Sequence, residues 1–268
     1  MAAGTSARTS QERSIDLSSS TTWPDHGVPE RIDPLEELPG VVAHHLKKYE
    51  FSRDRLSGTV IDVACGVGYG SEFLGPACER VIGVEIAAEG IAIACDRYRH
   101  DNVWFVQGDA ESLPFPDASI DAITCFEGIE HFFDPEAHLA EVARTLKPEG
   151  TYFVSTPHPA AHVHGEDNPF HLHEFDPERL DSMLRGRFDN VAMFGQFRVQ
   201  TGAHRTAQKL DLLGLRKAAW LRPLAKMVSR TALGTAPTED ATLDDFEIRP
   251  FEGEASEFLA VCSGAWHV

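Results

Sequence analysis

Between residues 59 and 155 the chain alternates short runs of β-branched residues with stretches of helical character, and that rhythm leaves few folds open. The strand-like runs are Thr59–Val63, Arg80–Val84, Val103–Gln107, Ile120–Cys125 and Thr151–Ser155. Each is short and rich in β-branched residues, as strands covered on both faces tend to be. Helical stretches lie between them at Ser71–Leu74, Ala88–Arg99 and Pro135–Leu146, and another is expected before them at Val41–Tyr49. Repeated strand–helix–strand units predict an α/β fold, a parallel, doubly wound sheet. At 268 residues the chain is long enough to bury a sizeable core.

After residue 156 the rhythm breaks. A His- and Pro-rich loop, Thr156–Phe175, precedes an expected helix at Pro177–Arg185 and a strand at Asn190–Phe197. A last strand at Glu257–Cys262 brings the expected count to seven. Residues 198–256 exceed what a connection between strands needs, and read as a helical acceptor or lid insertion. Within them Arg205, Lys209, Arg216, Lys217, Arg222, Lys226 and Arg230 face one acid, Asp211. That stretch is +6, which leaves −24 on the rest of a chain whose net charge is −18. A helical cap paired with the acidic body, a cover for an anionic acceptor, and weak attachment to an anionic membrane surface, which the overall charge opposes, all satisfy this pattern. Residues 1–22 lack periodicity and are expected to be disordered, with 23–268 forming the domain.

So acidic a chain is a poor partner for nucleic acid, whose phosphates call for clustered Lys and Arg. Five cysteines without a CxxC pair read as reduced thiols, so a cytoplasmic setting is expected. No run is apolar enough for a signal peptide or a membrane span, and no integral membrane contact is expected.

The stretch Val60-Ile-Asp-Val-Ala-Cys-Gly-Val-Gly-Tyr-Gly70 is a strand that ends in a glycine-rich turn and opens a helix. Gly66 and Gly68 let the backbone approach a ligand, and the helix start offers unpaired N–H groups. The spacing is G-x-G-x-G, unlike the G-x-G-x-x-G of dinucleotide sites. Asp62, just before the turn, would repel a pyrophosphate but can bind an ammonium group. Glu85, 19 positions after Gly66, is placed to hold ribose hydroxyls. Asp109 follows the third strand, where its carboxylate can accept from an adenine amino group. Three acids at three successive strand ends all face the crevice where open α/β sheets bind ligands.

VIDVACGVG, GVEI, QGDAESLPFPDASIDAI, EGIEHFFDP and RTLKPEGTYFVSTP resemble, in order and spacing, the motifs of class I S-adenosylmethionine-dependent methyltransferases. The resemblance covers roughly residues 45–157. It implies a Rossmann-like methyltransferase fold with S-adenosyl-L-methionine as cofactor. By it, Asp62, Gly66 and Gly68 would line the methionine portion, Glu85 the ribose and Asp109 with Ala110 the adenine, with Glu127 near the cofactor and Ala64, Cys65 and Ile86 among its further contacts. Ala64 stands where many members carry Gly. A narrower resemblance, to bacterial methyltransferases of sugar and surface-polysaccharide biosynthesis, rests on PERIDP (29–34), HHLKKYEF (44–51), NPFHLHEF (168–175) and FDNVAMFGQ (188–196). It implies Arg31 and Tyr49 as further cofactor contacts, with Lys48 where Arg is usual before Tyr49.

Methyl transfer to a hydroxyl requires loss of the hydroxyl proton, and His is the usual base near neutral pH. Five of the 13 histidines (His158, His162, His164, His171 and His173) fall in the loop after the fifth strand. His171 is the expected general base with Glu174 orienting it, and His131 is the second candidate. Capping of turns by these histidines is the alternative. Their spacing matches no zinc signature, so no metal is expected. The expected reaction is O-methylation of a small sugar or sugar-conjugate acceptor. N- or C-methylation of another metabolite, or a cofactor-binding subunit without catalysis, remain as alternatives, and a homodimer is plausible.

Overall fold

The computed structural model describes residues 31–98, 100–159, 170–199, 240–253 and 255–266. The expected disordered terminus, the basic run 205–230, His162 and His164 lie outside them. In chain order the elements are α1 (Pro39–Arg53), β1 (Thr59–Val63), α2 (Tyr69–Leu74), β2 (Arg80–Glu85), α3 (Ala88–Arg97), β3 (Val103–Gln107) and β4 (Ile120–Phe126). Then follow α4 (Pro135–Thr145), β5 (Leu146–Pro157), α5 (Pro177–Arg185), β6 (Phe188–Arg198), β7 (Phe246–Pro250) and β8 (Glu257–Ala265).

One sheet holds all the strands in the order β3-β2-β1-β4-β5-β8-β6-β7. The neighbours from β3 to β5 pair in parallel, and β8, β6 and β7 join antiparallel to β5 and to one another. Among the described residues the sheet therefore has eight strands rather than the seven expected, and its second half is not parallel. The additional strand is β7, inside the stretch 198–256 that had read as a single insertion. It is an edge strand of five residues (Phe246–Pro250, FEIRP) that contains Glu247 and Arg249 and follows Asp244 and Asp245, so it shows little apolar alternation to detect.

Local chemistry explains the helix starts. Pro occupies the first turn of α1, α4 and α5, where its missing N–H costs nothing. Asp134 caps α4 by accepting from the N–H groups of Glu136 and Ala137 at 3.1 and 3.0 Å. Asp176 caps α5 by accepting from Arg179 at 2.7 Å. Two apolar clusters cover the sheet. One gathers Ile61, Ile123, Leu139, Tyr152, Phe175 and Phe258, the other Val60, Leu74, Val81, Phe153 and Leu259.

The chain runs outward from β1 through β2 to β3, then returns to lay β4 on the other side of β1. This reversal is the topological switch point, and it opens a crevice at the C-terminal ends of β1, β2 and β4.

Candidate active site

That crevice is a cavity of about 680 Å³, within the ~300–1,000 Å³ usual for small-molecule sites. Of the residues singled out from sequence, it is lined by Arg31, Tyr49, Ala64, Cys65, Gly66, Glu85, Ile86, Asp109, Ala110, Glu127, His131 and His171. Asp62, Gly68 and Glu174 are not on its wall.

The turn after β1 bends through left-handed backbone at Ala64 (φ 56°) and at Gly66 (φ 56°). A Cβ on Gly66 would meet only the Arg31 Cβ, at 3.9 Å, so this backbone faces open space. The Gly66 N–H donates to one Glu85 oxygen at 3.1 Å and the Ala87 N–H to the other at 2.9 Å. Glu85 is thus held at the cavity wall by the backbone of two turns. Asp109 accepts from the Glu111 N–H at 2.9 Å. Beneath it, buried His138 bridges the Ala110 carbonyl (3.0 Å) and the Tyr152 hydroxyl (2.9 Å), and burial lowers its pKa to about 4, so it stays neutral.

Asp62 does different work from that expected of it. It is fully buried behind the turn, where Ser71 (2.6 Å), Thr124 (2.8 Å) and Tyr49 (3.2 Å) all donate hydroxyl hydrogen bonds to its carboxylate. Its charge positions Tyr49, which in turn lines the cavity. Burial raises the Asp62 pKa to about 6 against the lowering effect of the three hydroxyls. The folded protein therefore binds this proton more tightly than the unfolded chain, whose carboxyl titrates near 3.8. The associated stabilisation is complete below pH ~4 and is lost as pH rises to about 6; a shift of ~2 units sets its ceiling at ~3 kcal/mol. Asp62→Asn removes that titration, so urea midpoints at pH 4, 5 and 7 should fall less with pH in the variant than in the wild type. Parallel slopes would show that Asp62 stays ionised throughout.

Glu127, also on the cavity wall, follows β4 with φ 53°. Its carboxylate accepts from the Ser155 hydroxyl at 2.5 Å and lies 3.3 Å from the Lys48 ammonium. Lys48 is completely buried and also bonds Glu257. Burial alone would lower Lys48, but Glu127 and Glu257 outweigh it and hold the ammonium above its ordinary pKa. Burial and the charge of Glu257 raise Glu127. Burial, then Lys48, pushes His44 down to about 3, so its 3.2 Å contact with Glu257 joins a neutral imidazole to a carboxylate.

His131 and His171 meet at the cavity wall, with ring centroids 5.0 Å apart and planes at 75°. His131 Nδ1 lies 2.9 Å from the Phe170 carbonyl and His171 Nδ1 3.2 Å from Glu174 Oε1. The expected pairing of His171 with Glu174 is thus present in the geometry. His173 lies against the Phe133 carbonyl at 3.4 Å, and His158 packs on Phe251 and Phe258. Sequence reasoning missed Glu130, which lines the same wall and is 1% exposed. Its position directly before His131 was the available signal. It also missed the Lys48–Glu127–Glu257 cluster, whose members come from three distant segments.

The cavity suits S-adenosylmethionine. Arg31 pairs with Glu89 through Nη2 at 2.8 Å, while its buried Nη1 has no hydrogen-bond partner. A buried, unsatisfied guanidinium N–H beside the Gly66 turn calls for an anionic group such as an amino-acid carboxylate. Glu85, held beside the same turn, and Asp109 also line the cavity and present acceptors for hydroxyl and amino groups.

Fold, turn and cavity together define a class I methyltransferase domain. Residues 61–154 match the family model described as a methyltransferase domain. A probable S-adenosylmethionine-dependent methyltransferase of Mycolicibacterium smegmatis is 31% identical over 173 residues, which are 60% of this chain and 66% of that protein. One from Mycobacterium tuberculosis is 37% identical over 142 residues, 52% of this chain and 51% of its own length. The chain thus spans about half to just under two thirds of the length of these relatives. Its fold is shared with a solved structure from Thermotoga maritima described as an S-adenosylmethionine-dependent methyltransferase, possible histamine N-methyltransferase. That likeness has a TM-score of 0.59 at 18% identity, over 83% of this chain and 91% of the other. The chain carries an S-adenosylmethionine-dependent methyltransferase domain, and S-adenosylmethionine is its cofactor. All five cysteines are free thiols. Among the described residues no helix is long and apolar enough to cross a membrane.

Proposed function

We propose that the protein methylates a hydroxyl oxygen on a small sugar or sugar-conjugate acceptor, and that the His131–His171 pair disposes of the acceptor's proton. The observation that carries this reading is the placement of the two imidazoles. Both line the cavity beside buried Glu130, each with its Nδ1 against a hydrogen-bond acceptor, Phe170 O or Glu174. Bound S-adenosylmethionine supplies a methyl carbon on a sulfonium, which an acceptor oxygen bonds as the carbon–sulfur bond breaks and sulfur keeps the electron pair.

The chain's own residues do the rest. Arg31, Tyr49 and Glu85 fix one partner, and the polar end built from Glu130, His131 and His171 takes the other, so that the reacting atoms are held in line. A sugar is favoured over an apolar metabolite because this end concentrates a carboxylate and two imidazoles. The segments resembling sugar methyltransferases also supply Arg31, Tyr49, Phe170 and His171 to the wall.

The test follows tritium from methyl-labelled S-adenosylmethionine into nucleotide-diphosphate sugars, free glycosides and non-sugar metabolites. Transfer to a sugar hydroxyl is expected. His171→Ala should lower its kcat by ~10²–10³-fold with the affinity for S-adenosylhomocysteine unchanged. Near wild-type turnover in that variant, or transfer only to nitrogen or carbon, would overturn the reading.

A further inference from the structure

Glu130 lies in the short turn Ile129–His131 after β4 and is buried to 1% exposure. Neither of its carboxylate oxygens makes a hydrogen bond. Burial and then the charge of Glu127 hold its pKa well above the usual carboxylate range against a lowering contact with Thr156, so a cation bound there would take the place of its proton. Its surroundings supply two imidazoles. One ligand atom from each of Glu130, His131 and His171 lies within 4.8 Å of the others, and His131 Nε2 is 4.0 Å from Glu130 Oε1.

The imidazoles are also oriented as metal ligands are. The Phe170 carbonyl can only accept, so His131 carries its proton on Nδ1 and presents the Nε2 lone pair towards Glu130. Glu174 favours the same tautomer of His171. Metal-bound histidines characteristically donate their other N–H to a carbonyl or carboxylate. The two segments are joined by main chain as well, since Leu172 and His173 donate to the Glu130 carbonyl at 2.9 and 3.0 Å. The arrangement is therefore built into the backbone.

We propose that Glu130, His131 and His171 form a binding site for a first-row divalent cation at the acceptor end of the cavity. Two imidazoles and one carboxylate suit Mn²⁺ or Zn²⁺ better than Mg²⁺ or Ca²⁺, which prefer oxygen alone. Ligands of one such ion stand at most ~4.2 Å apart, so the side chains must close by about half an ångström. Three protein ligands leave coordination positions open, and the cavity opens onto them. Resting on the hydroxyl-methylation reading, the cation would hold the acceptor oxygen and lower its pKa. Both imidazole lone pairs are then ligands, so with the cation bound the pair acts on the proton through the cation, which lowers the hydroxyl pKa, and the proton leaves to water. Only the acceptor reading, not the direct imidazole base, is retained in that state. Spacing along the chain conceals this site, because His131 and His171 are forty residues apart.

The full chain, stripped of metal, would be titrated with Mn²⁺ and with Zn²⁺ by calorimetry, and Mn²⁺ followed by electron paramagnetic resonance. One site per chain is expected, with Kd at least tenfold weaker in Glu130→Gln and in His171→Ala while both still bind S-adenosylhomocysteine. If Glu130→Gln does not fold, His171→Ala decides. Absence of stoichiometric binding, or equal affinity in the folded variants, overturns the site. Methylation of a sugar by the chelated, metal-free protein would overturn the cation's role and keep the acceptor reading. Stoichiometric, variant-sensitive binding in a protein that methylates no hydroxyl would support the site and overturn that acceptor reading.

Discussion

Lys48→Met is expected to destabilise the protein by ~3–5 kcal/mol, the cost of leaving buried carboxylates without their cation. Lys48 is fully buried on α1 and stands between Glu127, at the end of β4, and Glu257, at the start of β8. Removing the ammonium leaves two like charges, one of which already has a raised pKa from burial and from the other. Both would have to take up protons or draw in water, and α1 would lose one of its ties to the sheet, keeping that of Tyr49 to Asp62. The double variant Lys48→Met/Glu257→Gln should recover a substantial part of the loss, because it removes one carboxylate along with the cation. Urea denaturation at neutral pH reads both. A loss below ~1 kcal/mol in the single variant would mean that the cluster is hydrated and contributes little.

Gly68→Ala should cost ~2–5 kcal/mol and weaken cofactor binding with it. Gly68 sits at φ +88°, where any side chain strains the backbone. Its added Cβ would also fall 2.6 Å from the Phe105 ring and 2.8 Å from the Ala94 Cβ. Relief requires Gly68 to move away from α3 and β3, and Gly68 immediately precedes α2, next to the turn that carries Gly66. Circular dichroism melts and calorimetric titration with S-adenosylhomocysteine would measure the two effects. Gly66→Ala is the informative contrast. It shares the left-handed backbone but meets only one atom, at 3.9 Å, so the cost there should be mainly the conformational one. Equal losses at the two positions would show that the packing against Phe105 is slack.

Much of the fold is legible in the sequence because the parallel half of the sheet obeys local rules. β1 to β4 are short runs rich in β-branched residues, joined by helices except between β3 and β4, and each was recognisable to within a residue at its ends. β5 is the exception, beginning at Leu146 rather than Thr151, because Gly150 and the charged residues before it interrupt its apolar run. The antiparallel half was less legible. β7 is a five-residue edge strand with one buried residue, and its pairing with β6 joins segments some fifty residues apart. No local periodicity encodes such a partner.

The site divides the same way. Gly66, Glu85 and Asp109 stand at strand ends, and a βαβ unit brings strand ends to one edge, so residue types at those offsets already imply a ligand crevice. Asp62 occupies such a position too, yet whether its carboxylate faces a ligand or its own protein depends on Ser71, Thr124 and Tyr49, which approach from three other elements. The sequence by itself determined the domain class, the cofactor and the end of the sheet where it binds, because spacing along strands and turns carries that information. Only the tertiary structure decided that Asp62 is internal, that Lys48 neutralises two buried acids, and that Glu130, His131 and His171 share one wall. Those facts depend on distances between segments far apart in the chain, which no local pattern records.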